Sequence, residues 1–370
     1  MLKRDRHWIL FNLAPDQFSW RGVCYLLGVY VGSLLFAAVV TAPIYDWVNG
    51  PVFAGIHRLA EIMPWDGFAY LTKERSFDKY FDRLRMLPVL AGLPWLLVVC
   101  GLFSTDHLRA LLRHSSNLPF GMRRLWALIR AGIHSLRLLG ANFSATGYRR
   151  FCVWFGIGAG MLLSVILVQL AFGSVELRAS FAWSQLGWLP FTALLTGVAV
   201  ALLEETVFRG LMLRIFYTAV RPLSAGILSA LFFAYVHFQV PDVAKETLQQ
   251  SDAWWLGFYV AFWMLVGIAV QFSLVEFLNL FVFGFLLNLV FLRTRSLLAC
   301  MGLHAGAVWA IKFYNEIFAV GSDAHTHLWG GGKVIDGWLP LIIMCGICIY
   351  LQVIKDAGPA SGTGGLNQHG

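Results

Sequence analysis

Long apolar runs dominate this chain and limit what it can fold into. They lie near 22–44, 86–103, 152–173, 187–217, 222–238, 254–292, 296–314 and 338–354. A run of about 20 apolar residues matches a helix crossing about 30 Å of hydrocarbon. Lipid offers no hydrogen bonds to an exposed backbone, so runs of this kind must be helical. Only 13% of the residues are charged and 58% are hydrophobic, whereas soluble domains carry about 25% charged residues. A water-soluble fold is thereby excluded. The reading is an all-α integral membrane protein, a bundle of about eight transmembrane helices.

The formal net charge of +8 could suggest nucleic acid, but its placement argues against that partner. Residues 104–150 hold eight arginines against the single acid Asp106, between two apolar runs. Such a bias marks a cytoplasmic loop of a membrane protein. Within it, residues 122–139 have the pattern of a basic amphipathic helix lying among headgroups. With the basic N-terminus (Lys3, Arg4, Arg6) also inside, both termini are expected in the cytoplasm, in a membrane that would be a bacterial cytoplasmic one. The stretch 254–292, interrupted by Gln271, Ser273 and Glu276, could cross once or twice. A single net crossing puts Arg293 and Arg295 inside, as the charge rule prefers.

Three regions follow. Residues 1–150 carry two spans and the basic loop, 151–354 form the membrane-embedded bundle, and 355–370 are a small polar tail expected to be disordered. The six cysteines sit in or beside apolar runs and read as small buried hydrophobes. Gly28-x3-Gly32 and Gly156-x3-Gly160 have the spacing that lets membrane helices approach closely.

Ionisable side chains inside a bilayer are costly and mark function by default. In the fourth run, Glu204 and Glu205 are followed by Arg209. Glu205 and Arg209, four apart, share a helix face and can neutralise each other. Glu204 points about 100° away, which suits a carboxylate needed for proton transfer. The fifth run places Phe233 four residues before His237, and Arg221-Pro222 marks the turn between the two helices. Glu205 and His237 are each 16 residues from Arg221. At about 1.5 Å per residue, both lie about 24 Å from the turn. The hairpin therefore brings a carboxylate and an imidazole to one level inside the membrane. The seventh run adds His304, about 14 Å from its start by the same rise. The sixth adds Phe281, Gly284 and Asn288, the last two on one face.

Taken in order, Glu204-Glu205-x3-Arg209, Phe233-x3-His237, Phe281-x2-Gly284 and Ser296-Leu297 leading to His304 resemble the CPBP intramembrane proteases. This is the family of CAAX prenyl endopeptidases and of bacteriocin-processing and self-immunity proteins, and the resemblance spans about residues 187–314. It implies a peptidase acting within the membrane on a membrane-associated protein or peptide. By that similarity Glu204 would be the general base, His237 would help hold the water, and His304 would stabilise the oxyanion. Glu205, Arg209, Phe233 and Asn288 would support the site. The sequence departs from the family at Val308, four residues after His304, where a polar residue such as Asn is usual. Asn288 on the neighbouring helix is the candidate to compensate.

A divalent metal such as zinc, held by Glu204, His237 and His304, is compatible with the donor types. The spacing is not that of the His-Glu-x2-His metalloprotease helix, and a Glu-activated water needs no metal. Two other functions are open to the same residues. One is a catalytically inactive scaffold or immunity protein, motivated by Val308. The other is a proton-coupled carrier using Glu204 and His237 as a relay.

Overall fold

A computed structural model describes residues 20–55, 77–85, 139–179, 183–237, 255–270, 272–321, 326–330 and 333–353, with a few isolated positions besides. Nearly all of the expected span at 86–103 and of the basic loop up to 138, residues 238–254 and the C-terminal tail lie outside the described residues.

The fold is helical, as the apolar runs require. The helices are α1 (Trp20–Trp47), α2 (Phe77–Leu84), α3 (Ala145–Ala171), α4 (Leu189–Glu205), α5 (Leu213–Ala219), α6 (Pro222–His237), α7 (Leu256–Val266), α8 (Leu274–Thr294), α9 (Leu297–Ile317) and α10 (Trp338–Val353). Among the described residues, five helices are long and apolar enough to cross a membrane: α1, α3, the continuous α4–α5 rod, α8 and α9. Three shorter apolar helices, α6, α7 and α10, accompany them. The chain is an integral membrane protein of the all-α class.

Local sequence sets the helix ends. Ser144, Ser273 and Ser296 each cap a helix by accepting a hydrogen bond from the backbone N–H three residues on. Ser273 and Glu276 have the spacing of a capping box. Pro222 opens α6, where a missing N–H costs nothing. Arg295 adopts a left-handed conformation (φ 51°) and turns the chain sharply from α8 into α9.

Two findings revise the sequence reading of the spans. The stretch 254–292 is two helices, α7 and α8, separated by a 3-10 turn at Gly267–Ala269 and by non-helical residues before Leu274. The polar Ser273 lies in that break and starts the next helix. There is also a small two-stranded antiparallel sheet, β1 (Val175–Leu177) against β2 (Phe318–Val320), which clips the end of α3 to the end of α9.

The close helix contacts use other glycines than expected. A Cβ on Gly28, Gly32, Gly156 or Gly160 would meet only open space. One on Gly158 would run into the Leu303 carbonyl, and one on Gly302 or Gly306 into the carbonyls of Phe151 and Phe155. Gly197 is likewise pressed against Ala305. Backbone approach of this kind drives association in lipid, where apolar burial offers little. Helix α9 is therefore the central post, with α3 and α4 packed directly on its backbone and α8 beside it.

The described helices form two apolar clusters. The larger draws on α3 to α6 and α8 to α10. The smaller joins Leu34, Ala37 and Ala38 of α1 to Phe77 and Phe81 of α2 and to Leu256, Val260, Ala261 and Met264 of α7. They meet where Tyr30 packs edge-on against Phe232, with centroids 5.6 Å apart. Nearby the Tyr235 hydroxyl donates to the Leu265 carbonyl at 2.9 Å.

Candidate active site

The site lies in the larger cluster and starts from the end of α4. There the helix widens into a π-helical segment, Thr206–Met212, before resuming as α5. Wider winding of this kind is frequent at functional sites. It sits immediately after Glu204 and Glu205 and carries Arg209 inward, fully buried.

Glu205 and Arg209 pair as their spacing predicts. Arg209 Nη1 donates to Glu205 Oε1 at 2.9 Å, with both side chains fully buried. Arg209 makes two further bonds across the bundle, from Nε to Asn288 Oδ1 at 3.2 Å and from Nη2 to the Gly284 carbonyl at 2.8 Å. Its guanidinium also lies over the Phe233 ring, 4.8 Å from the centroid. A charge this deep in an apolar bundle is stable only when every donor is matched.

The same Glu205 oxygen faces His304 Nδ1 at 2.7 Å. That oxygen already accepts from Arg209, and it accepts from His304 Nδ1 as well. His237 Nδ1 lies 2.7 Å from the Phe233 carbonyl, which can only accept, so this nitrogen also carries a proton. Both imidazoles thus have Nδ1 tied off and turn Nε2 the same way. Both Nε2 atoms face Glu204 Oε2, at 3.5 Å from His237 and 3.9 Å from His304. That carboxylate oxygen has no hydrogen-bond partner among the described residues. Contacts of this length are the ones a water bridges. Glu204 and His237 keep about a fifth to a quarter of their side-chain surface accessible (22% and 28%), whereas Glu205 and His304 are enclosed.

The structure therefore brings together Glu204, Glu205, Arg209, His237, His304 and Asn288, with Phe233 at their centre. The hairpin argument matched Glu205 in height to His237, but the carboxylate that meets this ring is Glu204. His304, which looked shallower, reaches both glutamates. Asn288 is committed at both ends, since its Nδ2 donates to the Gly226 carbonyl at 3.0 Å. It braces Arg209 and is not free to replace a donor lost at Val308. The sequence reading missed Phe283, edge-on to His304 at 5.6 Å, and Gly226. Gly226 is seven residues before Phe233, a spacing that puts both on one face of α6.

Among the described residues, no group of three or more His, Cys, Asp or Glu side chains stands in an arrangement that could hold a metal ion. Glu204, His237 and His304, compatible with a divalent metal by donor type, form no such group. The described cysteines are all free.

Residues 186–310 match the family described as type II CAAX prenyl endopeptidase, Rce1-like. This segment is similar to that family. The matched segment is about a third of the chain and contains every residue of the cluster above. Comparison with curated proteins and with solved structures gave no match. The matched segment carries the polar site on α4 with the π-helical turn that follows it, α6, α8 and α9, while α1, α2, α3 and α10 stand outside it.

Proposed function

We propose that this protein is an intramembrane endopeptidase that hydrolyses a peptide bond of a membrane-associated substrate with water activated by Glu204. The observation that carries the reading is the unpartnered Glu204 oxygen, flanked by two imidazoles whose other nitrogens are tied off. A water lodged there donates one proton toward Glu204 and is oriented by His237. Glu204 takes that proton as the oxygen bonds to the scissile carbonyl carbon. Charge then develops on the carbonyl oxygen. His304, in its protonated form and supported by Glu205, donates from Nε2 to that oxygen in a site shielded from bulk water. Collapse of the intermediate breaks the C–N bond. The proton held by Glu204 passes to the leaving amine, and the water oxygen remains in the new carboxylate.

A substrate delivered through the bilayer suits a site at this depth. A prenylated peptide is the class that the family description names. The test uses the full chain in proteoliposomes with a farnesylated peptide ending in a CAAX sequence, product masses identifying the bond cut. Cleavage by the wild type and none by Glu204→Gln is the expected result. Equal cleavage by both would remove Glu204 from the mechanism.

A second reading, an inactive scaffold or immunity protein, draws on Val308 together with the full commitment of Asn288. On that reading only His304 is left to face an oxyanion. It expects Glu204→Gln to retain biological function in a complementation assay.

A further inference from the structure

Hydrolysis at Glu204 requires the His304 ring to hold one orientation, with Nδ1 protonated and Nε2 toward the reacting atoms. Asn288 reaches none of those atoms, yet it controls the chain of contacts that sets this orientation. Its side chain is buried on α8. Nδ2 donates to the Gly226 carbonyl of α6 at 3.0 Å. Because the amide is planar and its ends differ chemically, that bond leaves Oδ1 facing Arg209 Nε, 3.2 Å away. The Arg209 guanidinium is a rigid fork, so fixing Nε and Nη2 also fixes Nη1 on Glu205. Glu205 Oε1 then has one position, 2.7 Å from His304 Nδ1.

We infer that Asn288 is a positioning residue for the proposed reaction: acting through Arg209 and Glu205, it holds His304 with Nδ1 protonated and Nε2 turned toward Glu204. The inference rests on the hydrolytic reading for its meaning, but its geometry can be tested apart from it. Alanine or serine at 288 leaves Arg209 Nε without its acceptor and lets the guanidinium turn. Aspartate is close to isosteric, but its second oxygen faces the Gly226 carbonyl, and its charge competes with Glu205 for Arg209. A residue that merely joined α6 to α8 would change the unfolding temperature and nothing about the His304 ring.

The experiment compares wild type with Asn288→Ala, Asn288→Ser and Asn288→Asp, all full-length in detergent micelles. The ring nitrogens are read by NMR on [15N]histidine-labelled protein, with His304 assigned from His304→Gln. The wild type should show a His304 Nδ1–H protected from solvent exchange. Each variant that remains folded should lose that protection by about tenfold or more. In proteoliposomes with the farnesylated peptide, kcat should fall about 10- to 100-fold with KM within about twofold, the scale of a small misplacement of a reacting group. Asn288→Ala combined with Arg209→Lys should be little worse than Arg209→Lys alone, because both act through one contact chain. If Asn288→Ala does not fold, Asn288→Asp decides the matter. Wild-type His304 signals in any folded variant overturn the inference. A wild type that cleaves no peptide overturns the hydrolytic reading instead, and the ring signals still decide the role of Asn288.

Discussion

The two apolar clusters of this protein solve the same problem, holding helices together in lipid, by different means. The α1–α2–α7 cluster is built from shape. Ser33 and Thr41, buried on α1, donate to carbonyls of their own helix, those of Tyr30 and Ala37, at 2.6 Å each. Its closest approach is steric, Gly257 of α7 against the Ala38 carbonyl of α1. The larger cluster adds a polar spine from Glu205 through Arg209 to Asn288, crossing α4, α6, α8 and α9. A side chain lost from the first cluster leaves a gap that neighbours or lipid can fill. One lost from the spine leaves a buried charge with nothing to face, a far steeper penalty. Chemistry is placed where packing is least forgiving.

That contrast can be broken or sharpened experimentally. The largest effect is expected on the spine's reacting end. Glu204→Gln should reduce peptide cleavage by about 10²- to 10⁴-fold, the usual contribution of a general base. Its thermal unfolding midpoint, followed by tryptophan fluorescence, should match wild type because Glu204 Oε2 has no direct hydrogen-bond partner among the described residues. Arg209→Leu removes one partner of a buried pair and should destabilise the protein by about 3–5 kcal/mol while abolishing cleavage. A drop confined to activity would mean the pair is not the structural keystone of the larger cluster. In the smaller cluster, Gly257→Val should overpack α1 against α7 and cost about 1–3 kcal/mol, with kcat of the folded fraction within about twofold of wild type. A kcat loss as large as that of Glu204→Gln would show the two clusters to be one working unit. The smallest effect is expected at their seam. Tyr235→Phe, which removes the bond to the Leu265 carbonyl, should cost about 0.6 kcal/mol, the mean for interhelical hydrogen bonds in membrane proteins.

Much of the site was legible because lipid makes polar residues conspicuous. Glu204, Glu205, Arg209, His237 and His304 stand out from apolar surroundings, and helix periodicity pairs Glu205 with Arg209 directly. Three features were not legible. The π-helical widening at Thr206–Met212 has no composition signal. The glycines used for close packing could not be chosen by spacing, since Gly156-x3-Gly160 and Gly302-x3-Gly306 share the same interval and only the second faces a neighbour. The commitment of Asn288 depends on the Gly226 carbonyl, a backbone group that side-chain identities do not reveal.

By itself, the sequence determined that the chain lives in a bilayer as helices, because long apolar runs have no other way to satisfy their backbone there. It also determined which few ionisable residues must be grouped, because none could be left alone in lipid. Only the tertiary structure decided how they are wired: which oxygen faces which nitrogen, and which carboxylate stays unpartnered. Those outcomes turn on helix register and crossing, which arise from contacts between distant segments and leave no trace in local pattern.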